Sequence, residues 1–225
     1  MPSATRLIPL IIASALFMEN MDQTIIATSL PAIAADLGTS PIVLKLAFTT
    51  YLLSLTVFIP ISGWLADRFG ARHVFRVAIA VFTLGSVACG LSSSLGELVA
   101  ARALQGLGGA MMVPVGRIIL LRAIPKAELV DALAWLTIPA LLGPLLGPPV
   151  GGFITDSFGW RWIFWMNVPF GIAAILLATW LMPETGVDHV PPLDVRGFLL
   201  SGLGLSSLIF GLTVRHLVRI MNPAR

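Results

Sequence analysis

The stretch Leu7–Leu30, LIPLIIASALFMENMDQTIIATSL, is apolar along most of its length but carries two acids, Glu19 and Asp22, in its second half. A helix that crosses a bilayer needs about 20 consecutive, mainly apolar residues. No small-residue cleavage site ends the apolar part, and the helical pattern continues to Leu30, so a cleaved secretory signal is not favoured. The stretch therefore predicts an uncleaved first transmembrane helix with ionisable groups inside the bilayer.

The whole chain has the composition of a membrane protein. Of its 225 residues, 57% are hydrophobic, 11% are charged and 21 are glycine. Soluble domains are about 25% charged. This balance excludes a soluble enzyme, a disordered chain and a disulfide-rich secreted domain. The single cysteine, Cys89, cannot form an internal disulfide.

Apolar segments recur along the chain and predict an all-α integral membrane protein. Short loops with turn residues separate seven candidate spans, at 7–30, 44–66, 74–92, 96–116, 129–154, 162–181 and 198–217. We expect residues 1–182 to form a six-span bundle and 183–197, which contain Pro191 and Pro192, to form a cytoplasmic linker. Residues 198–225 would then be a seventh span with a basic tail.

Positively charged residues are distributed unevenly between the predicted loops. With the N-terminus in the cytoplasm, the outer side holds only Lys45 and Arg161. The inner side holds Arg6, Arg68, Arg72, Arg76, Arg117, Arg122, Lys126 and Arg196. Because cytoplasmic loops are enriched in Lys and Arg, the N-terminus is predicted to be cytoplasmic. The seventh span would leave Arg215, Arg219 and Arg225 on or near the outer side, so we expect the sequence to be cut short.

A third ionisable residue, Arg102, lies inside the fourth predicted span. From the helical rise, Asp22 is about 12 Å and Arg102 about 9–10 Å from the outer ends of their spans, so the two are expected to meet in a wet pocket. Glu19 and Asp22 are spaced i, i+3 and share a helix face, where two carboxylates would titrate as a coupled pair. Two alternatives remain: a static ion pair that sets helix packing, and a Glu19 that turns toward the polar side of a neighbouring helix.

The fifth predicted span contains the run GPLLGPPVGG at 143–152. Its small residues recur every four positions and line one face, which lets another helix approach closely. Its prolines remove backbone donors and bend a helix. The run predicts a hinge that slides or rocks against a partner, with plain tight packing as the alternative. The hinge residues are Gly143, Pro144, Gly147, Pro148, Gly151 and Gly152.

The segment after the second span reads GWLADRFGARH at 63–73. Gly70 suits a tight turn, and the basic residues hold the segment on the inner side. Asp67 is expected to accept hydrogen bonds from a helix N-terminus or to pair with an arginine such as Arg117. The segment is either a topology determinant or a cytoplasmic gate formed by Gly63, Asp67, Arg68, Gly70 and Arg72.

These stretches resemble motifs of the major facilitator superfamily and, more narrowly, of the fourteen-span drug:proton antiporters. Residues 63–73 are similar to the signature loop, with Ala71 in place of a basic residue, and 143–152 are similar to the antiporter motif. Residues 98–110 resemble the proton-linked motif of the fourth span, which adds Gln105 beside Arg102. Residues 21–31 and 160–171 resemble the first and sixth spans of the subgroup.

The resemblance implies a fold of two six-helix bundles around a cavity, each bundle built from two inverted three-helix repeats. The seven spans would be the N-terminal bundle and the first of two additional helices. Since the second bundle is missing, the hinge span would lack its sliding partner, and Asp67 would lack the helix end that it latches.

The resemblance implies efflux of lipophilic or cationic drugs by proton-coupled antiport across the inner membrane, with no cofactor beyond the proton gradient. Glu19 and Asp22 would exchange protons for substrate, tuned by Arg102 and Gln105. Expected partners are a small lipophilic substrate, protons, the lipid bilayer and a C-terminal half or second copy, but no nucleic acid. A non-transporting remnant or interaction module remains an alternative, and a nutrient:proton symporter a less favoured one. No metal site, HExxH spacing or phosphate-binding loop supports an enzyme.

Overall fold

The computed structural model describes residues 3–184 and 192–221, with side chains described at 6–184, 192–208 and 211. All regular structure in these ranges is helical. The helices are α1 (Ser3–Asp36), α2 (Pro41–Phe58), α3 (Ser62–Phe69), α4 (Ala71–Leu91), α5 (Leu95–Ala123), α6 (Leu129–Phe158), α7 (Trp162–Trp165), α8 (Asn167–Leu181) and α9 (Val195–Met221). Short 3₁₀ turns at Ile59–Ile61 and Lys126–Glu128 precede α3 and α6.

Six helical segments in the described residues are long and apolar enough to cross a membrane. They are Arg6–Asp36, Pro41–Phe69, Ala71–Leu91, Leu95–Ala123, Lys126–Phe158 and Trp162–Leu181. They correspond to the first six spans expected from the sequence, which confirms the all-α membrane class.

The expected seventh span falls on α9, whose described apolar part covers Val195–Leu208 and is shorter than the six spans. Residues 185–191 of the expected linker and 222–225 of the basic tail lie outside the described residues, as do the side chains of Arg215 and Arg219.

Glycine and capping residues set the ends of the helices. Gly38, Gly70 and Gly159 have φ angles of 61°, 84° and 92°, a backbone conformation that residues with a Cβ rarely adopt. The hydroxyls of Ser40 and Ser94 accept hydrogen bonds from backbone N–H groups in the first turns of α2 and α5. The fifth predicted span, 129–154, is longer in the structure, because α6 continues to Phe158 and ends only at Gly159.

The bundle core lies where α1, α4 and α5 meet their neighbours. α1 packs mainly on α6, α5 packs on both α4 and α2, and α8 packs on α4 and α1. The candidate spans Pro41–Phe69 and Lys126–Phe158 are the least buried of the six. This arrangement places the ionisable residues of α1 and α5 inside the bundle and leaves long apolar faces of α2 and α6 uncovered.

The contact between α1 and α6 is a ladder of glycines facing larger side chains. A Cβ placed on Gly143 would lie 3.0 Å from the Cβ of Asn20, and one placed on Gly151 would lie 2.8 Å from the Oγ1 of Thr28. At Gly147 the added atom would overlap the Oγ1 of Thr24. The three glycines therefore let α6 approach α1 more closely than larger residues would allow without a shift of the neighbouring atoms.

Candidate functional site

Asp22 is the centre of a hydrogen-bonded cluster inside the bundle. Its Oδ2 accepts a hydrogen bond from Nη1 of Arg102 at 2.6 Å. Its Oδ1 accepts from Nε2 of Gln105 at 2.9 Å and from Nδ2 of Asn167 at 2.8 Å. The contact between Asp22 and Arg102 that their depths predicted is therefore present, and both carboxylate oxygens are occupied by donors.

We define the buried polar cluster as Asp22, Ser86, Arg102, Gln105 and Asn167. Nη1 of Arg102 also donates to Oε1 of Gln105 at 2.5 Å. Nδ2 of Asn167 donates to Oγ of Ser86 at 2.9 Å, and Ser86 donates in turn to the backbone oxygen of Phe164. The cluster joins α1, α4, α5 and α8 and reaches the carbonyl of α7, so its hydrogen bonds fix the relative positions of these helices.

Close helix contacts hold the two α5 residues of the cluster in place. A Cβ on Gly85 of α4 would lie 2.6 Å from the Cα of Gln105, so only glycine allows α4 to pack at this point. On the opposite side of α5, the guanidinium carbon of Arg102 lies 4.1 Å from the ring centroid of Tyr51, a cation–π contact from α2. Nε and Nη2 of Arg102 are buried without a hydrogen-bond partner among the described residues.

Glu19 lies beside the cluster but outside its hydrogen bonds. Its Oε1 accepts a 3.4 Å hydrogen bond from Nε2 of Gln23, which also donates to the hydroxyl of Tyr51 at 3.4 Å. Its Oε2 is buried and has no partner in the described part of the chain. The side chain of Glu19 thus lies between α1 and the helices α2 and α5. A Cβ placed on Gly109 of α5 would lie 3.5 Å from Oε1 of Glu19.

The expected wet pocket around the acid and the arginine is not what the structure shows. Glu19 and Asp22 are only 3% and 4% exposed, and Arg102 is fully buried. The reason is that α5 and α8 pack on this face of α1, and α4 packs on both of them. The sequence gives the depth of a residue along its helix but not the side of the helix to which it points. The site is an interior cluster of the bundle in this conformation.

Three residues that contact the site were not among the predicted site residues. Asn167 lies in the stretch 160–171 that resembles the sixth span of the subgroup, and Ser86 and Tyr51 lie outside the stretches that predicted the site. A lone amide in the otherwise apolar sixth span was a usable signal, because a polar group inside a membrane requires a partner.

The segment predicted as a gate is helical rather than a loop. Gly63, Asp67 and Arg68 belong to α3, and Gly70 alone separates it from α4. Gly63 has open space around it, and Arg68 is exposed. The glycine conformation at Gly70 allows the chain to reverse within one residue.

Asp67 pairs with Arg122 rather than with Arg117, which was the example expected. Nη2 of Arg122 at the end of α5 lies 2.7 Å from Oδ1 of Asp67, and both side chains are about one-third exposed. Arg72 donates to the backbone oxygens of Ala178 and Thr179 at the end of α8. The segment therefore ties the ends of α3, α4, α5 and α8 together.

The predicted hinge residues divide between two faces of α6. Gly143, Gly147 and Gly151 are buried against α1, so the helix that meets this glycine face belongs to this chain. Pro144 and Pro148 are exposed on the other face, and Gly152 has nothing near it. Four prolines lie within one continuous α6.

At the opposite end of the bundle, Asp36 forms a second cluster that the sequence analysis did not predict. Its Oδ2 accepts from Nη1 of Arg161 at 2.7 Å and from Nε1 of Trp160 at 3.1 Å. Arg161 also donates to the backbone oxygen of Ser92. Within the described ranges, no group of three or more His, Cys, Asp or Glu side chains is arranged to hold a metal ion.

Comparison with known proteins gives one consistent family. Residues 12–221 match the family described as the Major Facilitator Superfamily. Three similar relatives carry the name "Putative multidrug resistance protein MdtD". The Cronobacter sakazakii protein is 46% identical over 202 residues, which are 90% of this chain and 43% of the relative. The Salmonella newport protein is 43% identical over 212 residues (94% and 45%), and the Yersinia enterocolitica protein 42% over 202 residues (90% and 43%).

Solved structures show the same fold at lower sequence identity. A D-xylose-proton symporter superposes with a TM-score of 0.70 at 15% identity, over 92% of this chain and 53% of that chain. A proton:xylose symporter bound to 6-bromo-6-deoxy-D-glucose gives a TM-score of 0.73 at 17% identity, over 94% and 52%. The chain spans less than half the length of the three MdtD relatives. By its matched sequence and its helical fold, the chain belongs to the Major Facilitator Superfamily, a family of multi-pass membrane transporters and not of enzymes.

Proposed function

We propose that this chain provides the N-terminal six-helix bundle of an exporter that exchanges protons for lipophilic, cationic compounds across the bacterial inner membrane. The observation that carries the proposal is the pair of buried carboxyl groups on α1, Glu19 and Asp22, packed against a buried arginine on α5. Ionisable groups inside a membrane protein are costly and mark ion or substrate pathways by default. The name of the MdtD relatives supports drugs as the class of substrate.

The exposed faces of the bundle support a partner bundle. Large apolar side chains of α6, such as Leu141, Leu145 and Phe153, are each at least 66% exposed, and Ile42 and Leu46 of α2 are more than half exposed. We propose that a second bundle covers part of this surface and lipid covers the rest, with the central cavity between the bundles. The N-terminus is proposed to be cytoplasmic, because the Lys and Arg residues concentrate at the Gly70 end of the spans.

In this proposal the closed interior cluster and the surface ties have separate tasks. The buried polar cluster holds α1 and α5 together while the transporter changes the side to which its cavity opens. The Asp67–Arg122 pair at one end and the Asp36–Arg161 pair at the other are exposed enough to break and re-form. Exposed pairs of this kind contribute little to stability, which suits contacts that change during a transport cycle.

Everted membrane vesicles test the proposal. Vesicles from cells that express the protein should accumulate a fluorescent lipophilic cation when their interior is acidified, and a protonophore should abolish the accumulation. Vesicles that carry an Arg102→Ala variant at equal membrane abundance serve as a control for the site. Accumulation that does not depend on the proton gradient, or accumulation no greater than in vesicles without the protein, would reject proton-coupled export. A chain that binds no cation would favour the interaction-module alternative.

A further inference from the structure

The two buried carboxyl groups of α1 have different hydrogen-bond surroundings. Asp22 accepts three N–H donors from Arg102, Gln105 and Asn167, all within 2.9 Å. A carboxylate accepts hydrogen bonds at both oxygens, whereas a protonated acid must donate at one of them. A proton on Asp22 would displace a donor and leave the buried arginine without its counter-charge. Both oxygens of Asp22 are therefore placed to accept hydrogen bonds, and neither is placed to donate one.

Glu19 has the opposite surroundings. It forms no ion pair with any described residue, its single hydrogen bond is a long 3.4 Å contact from Gln23, and Oε2 is buried without a donor. An ionised carboxylate left this way lacks compensation for the water that it has lost. A neutral carboxylic acid fits the same space without a buried charge. The structure therefore describes Glu19 in an environment suited to the protonated form.

The charged and titratable groups around Glu19 come from three helices. Asp22 lies one turn away on α1, Tyr51 faces it from α2, and Arg102 of α5 lies over the ring of Tyr51. Arg102 forms its ion pair with Asp22, and no ion pair joins it to Glu19 in the described part of the chain. α8 carries no ionisable residue, and α6 carries ionisable residues only near its ends. Glu19 thus faces one neighbouring negative charge and no cation of its own.

We infer that Glu19 carries the exchangeable proton of this transporter, whereas Asp22 is a fixed carboxylate that positions Arg102. The inference rests on the proposed function and divides its two carboxyl groups into different roles. When the cavity opens, the O–H bond of Glu19 breaks and the proton passes to water. The carboxylate then forms an ion pair with the cationic substrate. When the cavity faces the other side, a proton from water re-forms the O–H bond, and the cation leaves.

Infrared difference spectroscopy of the purified chain in lipid bilayers tests the protonation state without any need for transport. The wild-type chain should show the carbonyl band of a protonated carboxylic acid at neutral pH, and raising the pH should remove it. The Glu19→Gln variant should lack this band. The matched control is Glu97→Gln, which changes an exposed glutamate at the start of α5 and should keep the band.

Thermal unfolding of the same variants guards against a loss of the band through misfolding. Glutamine has the shape of the protonated acid, so Glu19→Gln should unfold close to the wild-type temperature. Asp22→Asn should unfold at a lower temperature, because it leaves Arg102 buried without a carboxylate. A band that persists in Glu19→Gln, or a wild-type chain with no protonated carboxyl group at neutral pH, would overturn the inference.

Transport by everted vesicles gives the second readout. Glu19→Gln should lose proton-driven accumulation of the lipophilic cation but retain its exchange down a concentration gradient. Proton-driven accumulation that survives in Glu19→Gln would overturn the inference even if the exporter assignment is correct. A Glu19-dependent band that titrates in a chain without transport would support proton exchange at Glu19 and count against the proposed function alone.

Discussion

The glycine ladder between α1 and α6 gives a stability prediction with an internal control. Gly147 and Gly152 lie in the same helix, but a Cβ at Gly147 would overlap Thr24, whereas a Cβ at Gly152 meets nothing within 4 Å. Replacing glycine by alanine in a helix stabilises it by about 0.5–1 kcal/mol when space is available. Overpacking a tight contact costs about 1–3 kcal/mol. We therefore expect Gly147→Ala to lose a net ~1–2 kcal/mol and Gly152→Ala to gain up to ~1 kcal/mol.

Thermal unfolding of the purified chain in detergent measures this difference. For a chain of this size, 1 kcal/mol shifts the unfolding temperature by about 2–4 °C, so the two variants should shift in opposite directions and differ by several degrees. Adding Thr24→Ala to Gly147→Ala removes the hydroxyl that the new Cβ overlaps, and it should restore part of the loss as a coupling in a double-mutant cycle. Equal shifts for both glycine variants, or no coupling to Thr24, would refute the tight packing of α6 on α1.

Three further predictions concern the charges and the turn. Asp22→Asn should destabilise the chain by about 3–5 kcal/mol because Arg102 stays buried without its carboxylate. The exposed control Asp36→Asn should have a much smaller effect in the same unfolding assay. Similar losses of stability in both variants would contradict the role given to burial. Asn167→Leu should cost about 1–3 kcal/mol by removing one donor to the carboxylate, and an unfolding temperature equal to wild type would show that this hydrogen bond contributes nothing. Gly70→Ala should cost about 1–2 kcal/mol because φ is +84° at this residue, and NMR or unfolding data that show an unchanged turn and stability would contradict the strain.

Depth along a helix could be predicted from the sequence because the helical rise is fixed. Asp22 and Arg102 were placed at matching depths, and the structure brings their side chains to 2.6 Å. Rotation about the helix axis could not be predicted in this way. The pair was expected in a wet pocket, but the packing of α5 and α8 on α1 places it in the interior of the bundle.

The same limit explains why the individual contact partners could not be predicted. Arg117 and Arg122 are five positions apart, so they point about 140° away from each other around α5, and only the fold shows that Arg122 is the one beside Asp67. The spacing of Gly143, Gly147 and Gly151 identified a tight face but not the helix that it meets. The resemblance to family motifs identified Gln105 as a site residue. Only the fold shows that Asn167 contacts Asp22.

The pairing of Asp22 with Arg102 has a consequence for biogenesis. The two residues are 80 positions apart in the chain. Because ribosomes add about 5–20 residues per second, Asp22 is synthesised roughly 4–16 s before Arg102. An unpaired aspartate at the centre of an inserting helix costs about 2.5–3.5 kcal/mol on translocon scales. Segment Arg6–Asp36 is also the least hydropathic of the six candidate spans. The first span therefore bears this cost until the segment that contains Arg102 arrives.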